Sequence, residues 1–423
     1  MIWVLPFGCP GPRQPGRHRT PRITDWEDDF YACLQCGYCA PVCPPFQEMG
    51  FESIAPRGKM YYLRSHYQKG PLDRLLRRKT RIDASVAEAV YKCTSCGHCE
   101  SVCPVDIPFS RRWDEIKQWT LDKGVANFPE HQAQVANVVQ ERNIYGEPHA
   151  ERAAWLPEEA QLSDNPEVIY WAGCAASYRQ QELARAVIKI LNAAGVRYNI
   201  LGQDEWCSGG PLMRMGFVRY VVRELAPHNV EAVARTGVKA LVTACAECYR
   251  AFWRDYREKG VGNPPFSVYH ISQYVERLVK EKRLKLSKTW EQDLTFHDAC
   301  HMGRNAGNYD APRTAIKFVS KAKFTEMRRN RDDTLCSGAS GGFNLVWERE
   351  ARNIARRRLE EARATGSKVL ATTCPHAETH LKDVARRANI PIRVMDLAEL
   401  IAESMEPVEK PEAAAPVEET APA

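Results

Sequence analysis

Eight cysteines stand in two short runs of identical spacing, and no other feature limits the folding of this chain so tightly. Cys33, Cys36, Cys39 and Cys43 run into Pro44, and Cys93, Cys96, Cys99 and Cys103 run into Pro104. Both read C-x2-C-x2-C-x3-C-P, the spacing of chains that hold two [4Fe-4S] clusters. Three thiolates in a tight loop grip three irons of one cube, and the fourth, a turn later, reaches the other cube. The expected ligand sets are Cys33, Cys36, Cys39 with Cys103, and Cys93, Cys96, Cys99 with Cys43. Zinc sites pair C-x2-C units across a longer spacer, so the triple-plus-one pattern argues against zinc. Gly37 and Gly97 let each loop approach sulfide closely. The insert between the arrays, from Phe46 to Val90, reads as helical.

The remaining cysteines are punctuation, not a disulfide framework: of 16 in 423 residues, Cys9 stands alone and seven more fall in the C-terminal part. With no secretory signal, such clustering reads as metal ligation in a reducing cytoplasm. A formal net charge of +6 with both signs interspersed is too mild to argue for nucleic acid. No run approaches the 18 or so apolar residues needed to span a bilayer, so membrane contact would come through a partner subunit. Neither G-x-G-x-x-G after a strand nor C-x-x-C-H is present, which leaves dinucleotide and haem chemistry to partners. The organisation expected is a tail (1–22), a helical two-cluster domain (23–140), a Glu/Pro/Ala-rich linker (141–165), an α/β part (166–404) and a low-complexity tail (405–423). The basic run Arg74 to Arg81 reads as a solvated face, or else as a docking surface for an acidic partner.

The α/β part is an internal repeat. Cys174, Cys207 and Cys245 match Cys300, Cys336 and Cys374, with the same 38-residue step between the last two of each set. Thr-Gly-Val-Lys-Ala-Leu-Val-Thr-Ala-Cys ends at Cys245, and Thr-Gly-Ser-Lys-Val-Leu-Ala-Thr-Thr-Cys at Cys374. Two tandem copies, 166–290 and 291–404, are expected. β-rich runs lead into Cys174, Cys245, Cys300 and Cys374, and ligands of open α/β sheets gather at the carboxyl ends of strands. The cysteines of each copy should therefore converge.

His297-Asp298-Ala299-Cys300-His301-Met302-Gly303-Arg304, Cys336-Ser337-Gly338-Ala339-Ser340-Gly341-Gly342, Cys207-Ser208-Gly209-Gly210-Pro211 and Cys245-Ala246-Glu247-Cys248 carry a resemblance. Together they resemble the cysteine-rich CCG domain of heterodisulfide reductase, glycolate oxidase iron–sulfur subunits and related Fe–S oxidoreductases, over roughly residues 25–404. The resemblance implies an α+β multidomain chain: an N-terminal α-helical ferredoxin-like two-cluster domain, then a duplicated α/β cysteine-rich domain. Full CCG copies hold a noncubane cluster on five cysteines; here Ser208, Ser337 and Ala377 replace three of the family's. Copy one keeps Cys174, Cys207, Cys245 and Cys248, enough for a further Fe–S or zinc centre. Copy two keeps Cys300, Cys336 and Cys374, which either leave an open coordination position that His301, His376 or a substrate would fill, or are buried thiols. The two serines read as loop residues that took the place of unneeded ligands. His297 and Asp298 read as loop-fixing, with proton delivery as the alternative.

The implied function is an iron–sulfur oxidoreductase subunit. It would pass electrons between a redox partner (a membrane cytochrome b or a flavoprotein) and a thiol/disulfide substrate at Cys300, Cys336, Cys374 and His301. The alternatives are the electron-transfer subunit of a flavin-dependent 2-hydroxy acid (glycolate or lactate) dehydrogenase, and an assembly protein whose repeats hold structural zinc.

Overall fold

The computed structural model describes residues 22–68, 83–286, 288–319 and 321–405. Most of both expected tails, Cys9 and the Arg74–Arg81 run lie outside the described residues.

The array-bearing segment is helical. Proline opens the helices Pro44–Met49, Pro56–Tyr67 and Pro129–Glu141, where its missing N–H is no loss. Asp83 caps Ala84–Tyr91 by accepting from the amides of Ser85 and Val86. The apolar faces of Pro56–Tyr67, Ala84–Tyr91 and Phe109–Asp122 meet in a core of Trp26, Phe30, Met60, Leu63, Val90, Trp113 and Trp119. Each such side chain contributes roughly 2–3 kcal/mol by leaving water. The arrays lie at the rim of this core.

The repeats form two parallel sheets. β1 (Val168–Trp171), β2 (Tyr198–Asn199), β3 (Ala240–Thr243) and β4 (Ser267–His270) are ordered β2-β1-β3-β4. β5 (Leu294–His297), β6 (Val369–Thr372) and β7 (Arg393–Asp396) are ordered β5-β6-β7. β1, β3, β5 and β6 are buried throughout and rich in aliphatic and aromatic residues, as parallel strands covered on both faces must be. Where β2 flanks β1, copy two has only an isolated bridge between Leu294 and Phe324. His270 and Asp396, the last residues of β4 and β7, each form a capping box for the next helix.

The copies pack reciprocally. Helix Gln181–Ala193 of copy one lies on the last helix of copy two, Leu397–Glu403; the last of copy one, Ile271–Lys280, lies on Asp310–Phe318 of copy two. One core runs through both, joining Val168, Tyr170, Leu183 and Ile190 to Leu294, Phe296, Leu397 and Ile401. The His270 ring marks the seam: Nε2 donates to the carbonyls of Ala244 and of Thr373, its counterpart in the repeat, both at 3.1 Å.

Residues 141–165 are more than the connector their composition suggests. Arg152 and Trp155 are both 2 % exposed, and Trp155 sits edge-on to Tyr170 with 5.8 Å between ring centres. The array-bearing segment is likewise fastened. Buried Arg214 of copy one bridges Asp114 and Asp255, Lys117 Nζ donates to the Arg214 carbonyl at 2.7 Å, and Tyr91 Oη donates to that of Met215 at 2.9 Å. Among the described residues no helix is long and apolar enough to cross a membrane.

Candidate functional site

The two arrays build two thiol-lined cavities. Cys33, Cys36, Cys39 and Cys103 line one, with Leu34, Tyr38, Ile107 and Phe109 in its wall. Cys43, Cys93, Cys96 and Cys99 line another, with Pro44, Lys59 and Trp113. Each takes three thiols from one array and the fourth from the other, the exchange expected from spacing.

The two loops share a backbone. Gln35 and Ser95, one residue before the second cysteine of each array, have φ of 56° and 52°, and Gly37 and Gly97 have 87° and 77°. Non-glycine residues in this region are uncommon and strained, and two at matched positions mark a shape built to wrap something. A Cβ at Gly37 would lie 2.8 Å from the Arg57 guanidinium, and one at Gly97 2.9 Å from Ser110 Oγ. Burial pushes the Cys39 thiol up to about 11 and the Cys43 thiol up to about 12. Such thiols ionise at neutral pH only beside a metal, so donor set, cavity and wrapping loops fit a cluster held by four thiolates.

The cavities differ in setting. Cys36 is exposed beside the first, and Tyr31, Leu34, Tyr38, Phe51 and Tyr61 expose large apolar surfaces in the same segment. The second is inside the protein, between buried Lys59, whose Nζ donates to the Lys92 carbonyl at 2.8 Å, and the loops of copy two. Of those loops, Gly341 lies so close to the array that a Cβ there would meet the Cys93 carbonyl oxygen at 2.5 Å.

In copy one, Cys174, Cys207, Cys245 and Cys248 are all buried. All four belong to one buried cluster, in which Cys207 neighbours Cys174 and Cys248 neighbours Cys245. Peptide N–H groups aim at sulfur: Gly209 N at Cys207 Sγ (3.3 Å) and Cys248 N at Cys245 Sγ (3.4 Å). Ser208 is more than a loop filler, because its hydroxyl donates to Cys248 Sγ at 3.3 Å. Arg152, from the supposed linker, reaches Cys174 Sγ at 3.5 Å and Glu205 at 2.6 Å, while Glu205 accepts the amides of Ala172 and Gly173. The Cys207 contact, then Arg152 against the opposing effect of burial, holds the Cys174 thiol well below its ordinary range.

Copy two does not gather its three cysteines. Cys374 turns to Cys245 of copy one: the carbonyls of the residues just before them, Thr373 and Ala244, both accept from His270 Nε2. Cys300 and Cys336 turn to the second array: they pack with Cys96, alongside Phe343, Ala351 and Ile354. The expected grouping of Cys300, Cys336, Cys374 and His301 is thus divided. Equivalent β-strand ends meet at the seam between copies, which draws Cys374 to its counterpart Cys245. His301 is also engaged elsewhere: Nδ1 accepts from Arg250 at 3.0 Å, Nε2 donates to Ser340 Oγ at 2.8 Å, and Glu247 Oε1 lies 3.7 Å away. His376 approaches the other oxygen of Glu247 at 3.9 Å. His297 accepts from Arg358, and Asp298 is clasped by both terminal nitrogens of Arg313 and by Arg331 N, which is loop fixing.

Sequence reasoning missed Arg152, Glu205, Lys59, Glu247 and Arg304 as parts of these centres. Two carried a signal: Glu247 lies inside Cys245-Ala246-Glu247-Cys248, and Arg304 closes the segment that starts at His297.

Comparison with known proteins adds to this geometry. A 4Fe-4S dicluster domain matches residues 29–107, and a cysteine-rich domain of the CCG type matches 168–252 and 294–382. A subunit of the dihydromethanophenazine:CoB--CoM heterodisulfide reductase of Methanosarcina mazei is 34% identical over 382 residues, covering 88% of this chain and 93% of that one. The probable iron-sulfur-binding oxidoreductase FadF of Bacillus subtilis is 28% identical, covering 89% of this chain and 60% of its own. The EtfAB:quinone oxidoreductase of Syntrophomonas wolfei is 27% identical, covering 90% and 59%.

Proposed function

The chain belongs to the CCG-domain family of iron–sulfur oxidoreductases, as an electron-transfer protein of the heterodisulfide reductase type, and we propose that it carries electrons between a redox partner and a small thiol/disulfide substrate. Cys33, Cys36, Cys39 and Cys103 hold one [4Fe-4S] cluster, and Cys43, Cys93, Cys96 and Cys99 the other. Clusters so held store and release one electron at a time, which is the chemistry they supply. The partner docks over the first set, where Cys36 is exposed amid apolar side chains. Electrons leave at Cys96 into the repeats. Cys174, Cys207, Cys245 and Cys248, with Cys374 at hand, hold a further Fe–S or zinc centre whose thiolate charge Arg152 offsets. A membrane cytochrome b or a flavoprotein suits the partner's part, and membrane attachment would be the partner's.

The observation that carries this reading is the contact of Cys96 with Cys336, a donor thiol packed on a thiol of the repeats. The test is iron, sulfide and zinc content of protein purified without oxygen, with EPR of the reduced form. About eight irons and eight sulfides per chain are expected in the two arrays, plus zinc or further iron in the repeats. Adding a small mixed disulfide to the reduced protein should discharge the EPR signal; a signal that persists with every disulfide offered overturns the proposal. A second reading draws on the Syntrophomonas wolfei relative, whose name joins an Etf protein to quinone: the chain would relay electrons from a flavoprotein, such as one oxidising a 2-hydroxy acid. In that case no disulfide discharges the signal and a reduced flavoprotein builds it up.

A further inference from the structure

We propose that Cys300 and Cys336 form a redox-active dithiol/disulfide pair, loaded with electrons one at a time across Cys96 and discharged two at a time onto a disulfide substrate. This rests on the thiol/disulfide reading above and names the groups that would do the exchange.

Three observations converge. Cys300 and Cys336, 36 residues apart in sequence, pack in one buried cluster with Phe343, Ala351 and Ile354, which brings two thiols to one place as disulfide formation requires. Cys96 packs in the same cluster and lines the second cavity, so the pair lies beside that cavity's wall. The pair also lacks the donors of a metal site. Ser337 stands where a second cysteine would follow Cys336, Cys374 is turned to Cys245, and both ring nitrogens of His301 are taken by Arg250 and Ser340. Two thiols fall short of the four donors that a cluster or structural zinc takes.

The surroundings fix the pair against the array. Arg304 Nε donates to the Cys96 carbonyl at 3.0 Å, and Asn305 Nδ2 to the carbonyls of Cys300 (3.0 Å) and Cys96 (3.4 Å). Arg304 Nη2 is buried without a hydrogen-bond partner among the described residues, and its guanidinium lies within electrostatic reach of Cys96, Cys300 and Cys336. Gly338 N donates to Cys336 Sγ at 3.3 Å. Cys300 is 8 % exposed and Cys336 1 %, which makes Cys300 the attacking thiol and Cys336 the resolving one.

The chemistry balances. The Cys300–Cys336 disulfide takes two electrons, singly, from a reduced partner by way of the array, and two protons from water, giving two thiols. Cys300 thiolate then attacks a substrate disulfide, forming a mixed disulfide and releasing one substrate thiol. Cys336 attacks Cys300 Sγ, releases the second, and restores the protein disulfide.

The test uses full-length protein purified without oxygen. It is treated with either dithionite or excess glutathione disulfide, quenched with iodoacetamide in acid, and mapped by mass spectrometry. A Cys300–Cys336 linked peptide is expected in the oxidised sample, and two alkylated cysteines in the reduced one. Reductive titration should take about two more electrons per chain in wild type than in Cys336→Ser before the array EPR signal is complete. Glutathione disulfide should leave a stable adduct on Cys300 in Cys336→Ser alone, whose EPR signal reports that it is folded. An oxidised sample with both cysteines alkylated and the array signal intact overturns the proposal, as does loss of iron in Cys300→Ser and Cys336→Ser. The wild-type mapping reads protein cysteines alone. A linked peptide that forms while no disulfide discharges the EPR signal defeats the substrate reading; a signal discharged without that linkage defeats only the pair.

Discussion

The two copies of the repeat share a backbone plan and have parted in chemistry. Each has a strand that ends just before its first cysteine, another that ends just before its third, and a capped helix after its last strand. Copy one surrounds four thiols with Arg152, Glu205 and Ser208. Copy two sends two thiols to the second array and one across the seam. Counterparts face each other there: Cys245 meets Cys374, and Glu247 lies 3.9 Å from His376. Duplication thus made one composite site. Once counterparts touch, one copy can lose donors that the other still supplies.

The strongest way to break this comparison is to remove one cysteine from each copy and count metal. Cys245→Ser should remove the centre proposed for the repeats, seen as loss of one centre per chain by mass spectrometry of metals. Cys300→Ser should leave the metal count as in wild type. Equal losses would erase the distinction.

The next effect is on stability. Arg152→Ala takes the cation from buried Glu205, leaving it the Ala172 and Gly173 amides, and should cost about 3–5 kcal/mol in urea unfolding. Arg313→Ala in copy two should cost roughly half as much, since Asp298 keeps the Arg331 amide and the other partner, Glu326, is partly exposed.

The helix caps should respond to pH in opposite senses. Burial holds the His270 imidazole down to about 4, so the folded form is neutral. Its contribution is complete above pH 6.5 and is lost as pH falls toward 4, by up to roughly 3 kcal/mol. Burial, then neighbouring Glu378, raises Asp396 well above the usual carboxylate range. Its contribution is present in acid and is lost as pH rises through that raised value. His270→Asn should flatten only the acid limb of stability against pH, and Asp396→Asn only the limb where stability falls as pH rises. A mutant that flattens the wrong limb would refute the assignment.

The smallest effect concerns the residues before the first cysteines. Gly173 has φ of 78°, and a Cβ there would lie 3.0 Å from Cys248 Sγ. Gly173→Ala should cost about 1–2 kcal/mol and weaken metal retention in copy one. Copy two already has Ala299 at this place, and Ala299→Gly should cost less than 1 kcal/mol, both read from thermal unfolding.

Much of this was legible in one dimension. The arrays announce their cavities, and even the exchange of Cys43 and Cys103, because that geometry is written in spacings of two and three residues. The repeat is legible because the 38-residue steps recur. The meeting of Cys374 with Cys245 is not. It depends on Gln181–Ala193 lying on Leu397–Glu403, a packing between segments some 200 residues apart that no local pattern encodes. Residues 141–165 misled for another reason: Pro, Glu and Ala dominate their composition, while two side chains, Arg152 and Trp155, decide their place.

Arg214, locked between Asp114 and Asp255 and tied to Lys117, has a kinetic consequence. It bolts the array-bearing segment to the repeats, so nothing has to swing for charge to travel between them. Conduction inside the molecule should then proceed at the same speed in viscous glycerol as in plain buffer, and only the encounter with an external donor should slow.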